Sequence, residues 1–283
     1  TGATADLTNT LVSGSSLVIA GSALVTVSDD GFTTSSTTIA ATTLSNIGGK
    51  TSGAVTVTKA VKITGATADL TNTLVSSSSS VTAAKALVTV SDAAFASSST
   101  AIAATALSGI GGKTTGAVTL ANKVRIQGSQ SEVATALVGG SSVVASKANT
   151  EARVTTAVNV NQGEEIAGVS NVQGIFASGL SDSLTSLASG GNSTAKLNTI
   201  VGDDGDVAIT VSDSGFTTSS ATLTAADLSA VGGATTGTVT VTNAVKISGN
   251  TSQLTNTLVS GSSSVTAGSA LVTVSDDGFT TSS

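Results

Sequence analysis

The chain has 283 residues, a formal net charge of −6 and 10% charged residues; it contains no Pro, Cys, Met, Trp, Tyr or His and only five Phe. Without His or Cys there is no Ser-His-Asp or Cys-His machinery and no zinc or haem site, and eleven scattered Lys and Arg with a pI near 4.4 exclude the clustered basic face that nucleic acid needs. Leu, Ile, Val and Phe nevertheless make up about a quarter of the residues, above the level expected of a disordered chain. The chain is therefore expected to fold on small aliphatic side chains.

In chain order, the first segment, Thr1 to Ser13 (TGATADLTNTLVS), returns unchanged at Thr64 to Ser76, a shift of 63. Leu24 to Val27 alternates apolar residues with Thr, which predicts a strand, and copies follow at Leu87, Ile209 and Leu271. The strand runs into LVTVSDDGFTTSS at Leu24 to Ser36, which returns at Leu271 to Ser283. Phe32, Phe95, Phe216 and Phe279 share one phase of the repeat, and Phe176 lies in a divergent stretch. Ala54 to Thr58, Ala117 to Leu120 and Thr238 to Thr242 form a second class of strand. Val61-Lys62-Ile63, Val124-Arg125-Ile126 and Val245-Lys246-Ile247 form a third.

Short helices are expected between the strands. Ser129 to Glu132 and Asn250 to Gln253 have capping-box spacing, and Thr224 to Leu228 leads into Val231. Gly48-Gly49, Gly111-Gly112 and Gly232-Gly233 read as helix stops. The units are repeat 1 at 1–63, repeat 2 at 64–126, repeats 3 and 4 at 127–247 with a divergent centre at about 140–201, and a partial repeat 5 at 248–283. A unit of one strand and a short helix cannot bury its own apolar face, so the expected fold is β-rich: one continuous β-solenoid with short helices in its coils. A string of small β-sandwich domains is the alternative.

The polar candidates are carboxylates. Asp29, Asp92, Asp213 and Asp276 each close a V-S-D strand end, joined in two copies by Asp30 and Asp277. One reading is a Ca²⁺ ligand per repeat; the other is a turn residue whose side chain accepts neighbouring backbone N–H groups. Asp203, Asp204 and Asp206 form the densest acidic cluster, read as a hard-oxygen Ca²⁺ site or a solvated loop. Asp6, Asp69 and Glu132 suit a helix first turn. Lys62, Arg125 and Lys246 are expected to form an outward basic row, for keeping sheets apart or binding acidic glycans. Outward Thr rows such as Thr56/Thr58 and Thr240/Thr242 suit ice binding, O-linked sugar or plain exposed strand. Glu164, Glu165 and Asp182 alone offer an acidic group for polysaccharide chemistry. No catalytic residue and no cofactor is expected, Ca²⁺ excepted, and no apolar run approaches a membrane span.

The cadence VTVSD, TAADLSAVGG, TTGTVTVT and ISGNTSQLTNTL resembles tandem repeats of giant cell-surface proteins of cyanobacteria and marine bacteria, of the haemolysin-type, surface-layer and adhesin kinds. The resemblance implies a secreted, extracellular, non-enzymatic structural protein that associates with itself as a fibre, sheath or surface layer. An adhesin stalk or an ice- or glycan-binding solenoid is the alternative.

Overall fold

V-T-V segments place Val on one face and Thr on the other, and in the computed structural model they form short parallel strands whose Val side chains are buried. The structure describes residues 1–31, 38–96, 101–139, 143–145, 150–216, 222–260 and 263–276. Phe32, Asp277 and Phe279 lie outside the described residues.

The chain builds an α/β fold rather than the expected β-solenoid or string of β-sandwiches. Among the described residues, ten α-helices alternate with several separate parallel sheets, and no sheet closes on itself or continues as a solenoid wall. The sequence pattern underestimated the helices. Leu44 and Ile47, Leu107 and Ile110, and Leu228 and Val231 are fully buried, so helices supply much of the core that a solenoid would take from its strands. A sandwich would need antiparallel sheets. Among the described pairs, only the hairpin of Ala188–Ser189 and Asn192–Ser193 is antiparallel.

Residues Thr1–Ala152 and Val169–Val172 form one compact unit, and Arg153–Gly168 and Gln173–Ser283 a second. In the first unit a complete five-stranded sheet runs Thr38–Ala40, Lys62–Gly65, Leu87–Val90, Val118–Leu120, Val143–Ala145. Its order follows the phase of the repeat, and registers such as Lys62↔Leu87 and Val88↔Val118 keep like faces aligned. The three-stranded sheet of the same unit, Val25–Val27, Val55–Val57, Val81–Thr82, holds the third, fourth and fifth members of that series. In the second unit Thr222–Thr224, Lys246–Gly249 and Leu271–Val274 supply the first three members of another sheet. There too, Ile209–Val211, Val239–Val241 and Val265–Thr266 are members three to five, preceded by Leu180–Asp182. The fifth member is two or three residues long and is the last in its sheet among the described residues.

Two features place the helices. The expected capping boxes form at Ser129 with Glu132 and at Asn250 with Gln253. The segments Thr8–Val12, Thr71–Val75 and Thr255–Val259 each continue a four-residue α-turn as a π-turn, closed by i→i+5 bonds such as Ser76 N–H to the Thr71 carbonyl at 2.9 Å. The glycine pairs do not end helices through a left-handed residue, since Gly49 and Gly112 have φ of −68° and −69°. Gly48 instead allows close approach: a Cβ there would lie 3.2 Å from Val81 Cγ2, on the strand packed beneath the helix.

Candidate functional site

The repeated aspartates all do one thing, and it is not local. Asp29 Oδ2 accepts the backbone N–H of Thr4 at 2.7 Å and its hydroxyl at 2.5 Å. Asp92 repeats this on Thr67, with both bonds at 2.7 Å. Asp276 does so on Thr251, its Oδ1 accepting the backbone N–H at 3.0 Å and its Oδ2 the hydroxyl. Asp213 Oδ2 accepts the N–H of Leu184 at 2.7 Å. In each case a strand-end carboxylate caps the first turn of a helix that begins 25 or 29 residues earlier. Helices with orphan N–H groups at their first turn need such acceptors. Those starting at Thr4 and Thr67 follow Ala3 and Ala66, which offer no side-chain cap. The turn reading anticipated the donor type, backbone N–H, but placed it among sequence neighbours.

The same strand end is held from the other side. Asn122 Nδ2 donates to the Asp92 carbonyl and Asn243 Nδ2 to the Asp213 carbonyl, both at 2.7 Å. Lys59, at the same phase, instead pairs with the fully exposed Asp30 at 3.0 Å.

Asp203 and Asp204 are brought together, but not in a solvated loop. Asp203 ends and Asp204 follows the helix Ala195–Asp203, whose Leu197 and Ile200 are buried, and Asp204 is only 6% exposed. Asp203 Oδ2 accepts Gly174 N–H at 2.8 Å and Asp204 Oδ2 accepts Phe176 N–H at 2.7 Å, which satisfies alternate amides of one strand. Gln173 Nε2 donates to the Asp203 carbonyl at 3.0 Å. Burial pushes both carboxyls above the usual carboxylate range. For Asp204 the Phe176 N–H works against the shift, while the charges of Asp206 and Asp203 add to it. Asp206 itself is exposed. Among the described residues no three acidic side chains come together in a way that could hold a metal ion.

The basic residues do not form one row. Lys62, Arg125 and Lys246 sit on strands of three different sheets. Arg125 makes a two-pronged pair with Glu151, Nε to Oε1 at 2.6 Å and Nη2 to Oε2 at 3.1 Å, and lies 3.9 Å from the Phe95 ring centroid. Lys246 lies 5.0 Å from the Phe216 centroid. The Phe phase and the basic phase are therefore partners, a cation–π pairing that the equal sequence separation of Phe95 from Arg125 and Phe216 from Lys246 already encoded. Of the remaining acidic residues, Glu164 pairs with Lys196 at 3.0 Å and Asp182 Oδ2 accepts Val160 N–H at 3.1 Å.

The Thr rows are in register. Thr26, Thr56 and Thr82 align across one sheet, as do Thr210, Thr240 and Thr266 across another, with the last two of each set exposed. Two shallow clefts of about 430 and 280 Å³ flank the serine loop Ser76 to Ser80, in which the Ser76 and Ser78 hydroxyls bond each other and the Ser79 hydroxyl donates to the Thr73 carbonyl. No helix among the described residues is long and apolar enough to cross a membrane. Compared with known protein families, with curated proteins and with solved structures, the chain matches none.

Proposed function

We propose that the chain is a non-enzymatic structural repeat protein of the cell exterior that associates with itself into a fibre, sheath or surface layer. One observation carries this reading: the repeat is its own binding partner. Each V-T-V strand is covered by a strand from another phase of the same repeat, in register, and each V-S-D aspartate caps a helix of a neighbouring segment. The conspicuous polar groups hold the fold rather than face a cleft. The extracellular setting rests on the resemblance of VTVSD and ISGNTSQLTNTL to repeats of bacterial surface proteins. Electron microscopy and sedimentation of the purified chain test the reading. Long regular filaments or layers are expected; compact monodisperse particles at every concentration overturn it.

The in-register Thr columns favour a second reading, a surface-binding module such as an adhesin stalk or an ice- or glycan-binding domain. Hydroxyls repeating at about the 4.8 Å strand spacing form a regular exposed array. Thermal hysteresis in dilute solution, or retention on a glycan array, would establish it; neither effect leaves the structural role alone.

A further inference from the structure

The larger of the two clefts beside Ser76 to Ser80, about 430 Å³, lies wholly within the first unit and has two kinds of lining. Leu74, Val81 and Ala83 are buried and apolar. Ser77, Thr82 and Lys113 are exposed and polar. The Ser76 and Ser79 hydroxyls are bonded inside the loop. Among the described residues, by contrast, nothing bonds the Ser77 and Thr82 hydroxyls or pairs with the Lys113 ammonium. Lys113 is not there to hold the fold. It follows the helix Ala104–Gly111 and Gly112, and the buried Thr114 after it donates through Oγ1 to the Ala86 carbonyl at 2.5 Å. In a later copy the same phase reads Gly232-Gly233-Ala234-Thr235, and Thr235 Oγ1 makes the matching bond to the Val207 carbonyl at 2.8 Å without the lysine.

We propose that this cleft binds a carboxylate-bearing sugar, a uronic acid unit of an acidic polysaccharide. Its volume falls within the roughly 300–1,000 Å³ of small-molecule sites. The Lys113 ammonium, a point charge on a flexible stem, takes the carboxylate. The Ser77 and Thr82 hydroxyls, each both donor and acceptor, match the ring hydroxyls. The C–H face of the pyranose packs on Leu74, Val81 and Ala83. A bare inorganic anion would leave that apolar lining unused, and a nucleobase would find no aromatic ring among the lining residues to stack on. The local field also suits an anion despite the net charge of −6: from Lys50 to Arg125 seven Lys and Arg stand against only Asp69 and Asp92. The second cleft, about 280 Å³, has no charged residue in its lining and lacks the group that would hold a carboxylate. The inference rests on the glycan-binding reading above and gives it a ligand class and a location.

Titration of the ¹⁵N-labelled full chain with trigalacturonate, and with maltotriose as the neutral counterpart, tests this by NMR. Expected are shifts of the Ser77, Thr82 and Lys113 amides with trigalacturonate and none there with maltotriose. Binding should be about fivefold weaker in Lys113→Ala, as for loss of one exposed ion pair, and should fall with added salt. Lys113→Arg should restore it, and Lys123→Ala, which removes an equal charge outside the cleft, should leave it unchanged. Ala234 at the phase of Lys113 indicates that Lys113→Ala folds. Equal shifts with maltotriose, or binding that Lys113→Ala leaves unchanged, overturn the assignment of this cleft and leave the glycan-binding reading standing. No shift with trigalacturonate overturns the assignment as well; where a glycan array also retains nothing, the glycan-binding reading falls with it.

Discussion

Asp92 shows how much of the fold depends on single side chains reaching across the sequence. Its carboxylate serves a helix start that has only Ala66 as a local cap. Asp92→Ala should cost about 1–2 kcal/mol in denaturant unfolding, and a second change, Ala66→Asn, should offset part of it by supplying the local cap that Asn250 provides at the same phase. Two other aspartates predict opposite pH behaviour. The Asp204 carboxyl is held above its ordinary range chiefly by burial, so the folded state favours its neutral form. Its contribution is complete below the unfolded carboxylate range and is lost as pH rises through the raised value. Asp204→Asn should therefore melt higher than the parent at neutral pH, with the difference closing toward about pH 3. Asp276 is held low by the Thr251 hydroxyl and N–H, so its contribution is present above the unfolded range and lost as pH falls through the lowered value. Asp276→Asn should lower the melting temperature at neutral pH and leave it unchanged near pH 2.

Between elements, contact is made by small residues and buried hydroxyls instead of large aromatic ones. Thr257 Oγ1, fully buried, donates to the Ala225 carbonyl at the start of one helix and lies within bonding distance of the Gln253 carbonyl in its own, both at 2.8 Å. Thr73 does the same toward Ala41 and Asp69. Thr257→Val keeps the shape but removes the hydroxyl's bond to the Ala225 carbonyl, and should cost about 0.5–1.5 kcal/mol by denaturant titration. Gly53, Gly116 and Gly237 enter the fourth strand of each series, where a Cβ would overlap the carbonyl oxygens of Ala23, Ala86 and Asp206. Gly237→Ala should destabilise by about 1–3 kcal/mol, read as a lower unfolding midpoint, because backbone cannot give way as a side chain can. These positions were legible in the sequence only as repeated small residues. The Thr that bonds across two helices and the Thr that faces water on a strand look alike until the partner is known.

For the molecule as a whole, the decisive quantity is which strands share a sheet. Alternation of Val and Thr marked two strand classes, the Val-Lys-Ile and Val-Arg-Ile segments marked a third, and the capping boxes marked two helix starts. The two shorter strand classes, Thr38–Ala40 and Val81–Thr82 with their copies, escaped notice because two or three residues show no period. They open and close the five-stranded sheet and stand at one end of each three- and four-stranded sheet, so missing them led to a continuous solenoid where the chain forms separate sheets between helices.

The sequence alone determined the repeat, the apolar face of each strand, the capping boxes and the absence of His and Cys chemistry, because these depend on residue type and near-neighbour spacing. The tertiary structure decided where each sheet stops, which helix each aspartate caps, that Phe95 lies against Arg125, and that Asp204 is buried against Phe176. Those depend on register between segments 25 or more residues apart. Identical repeats offer several equivalent registers, and packing selects among them only when helices and strands bury their apolar faces together.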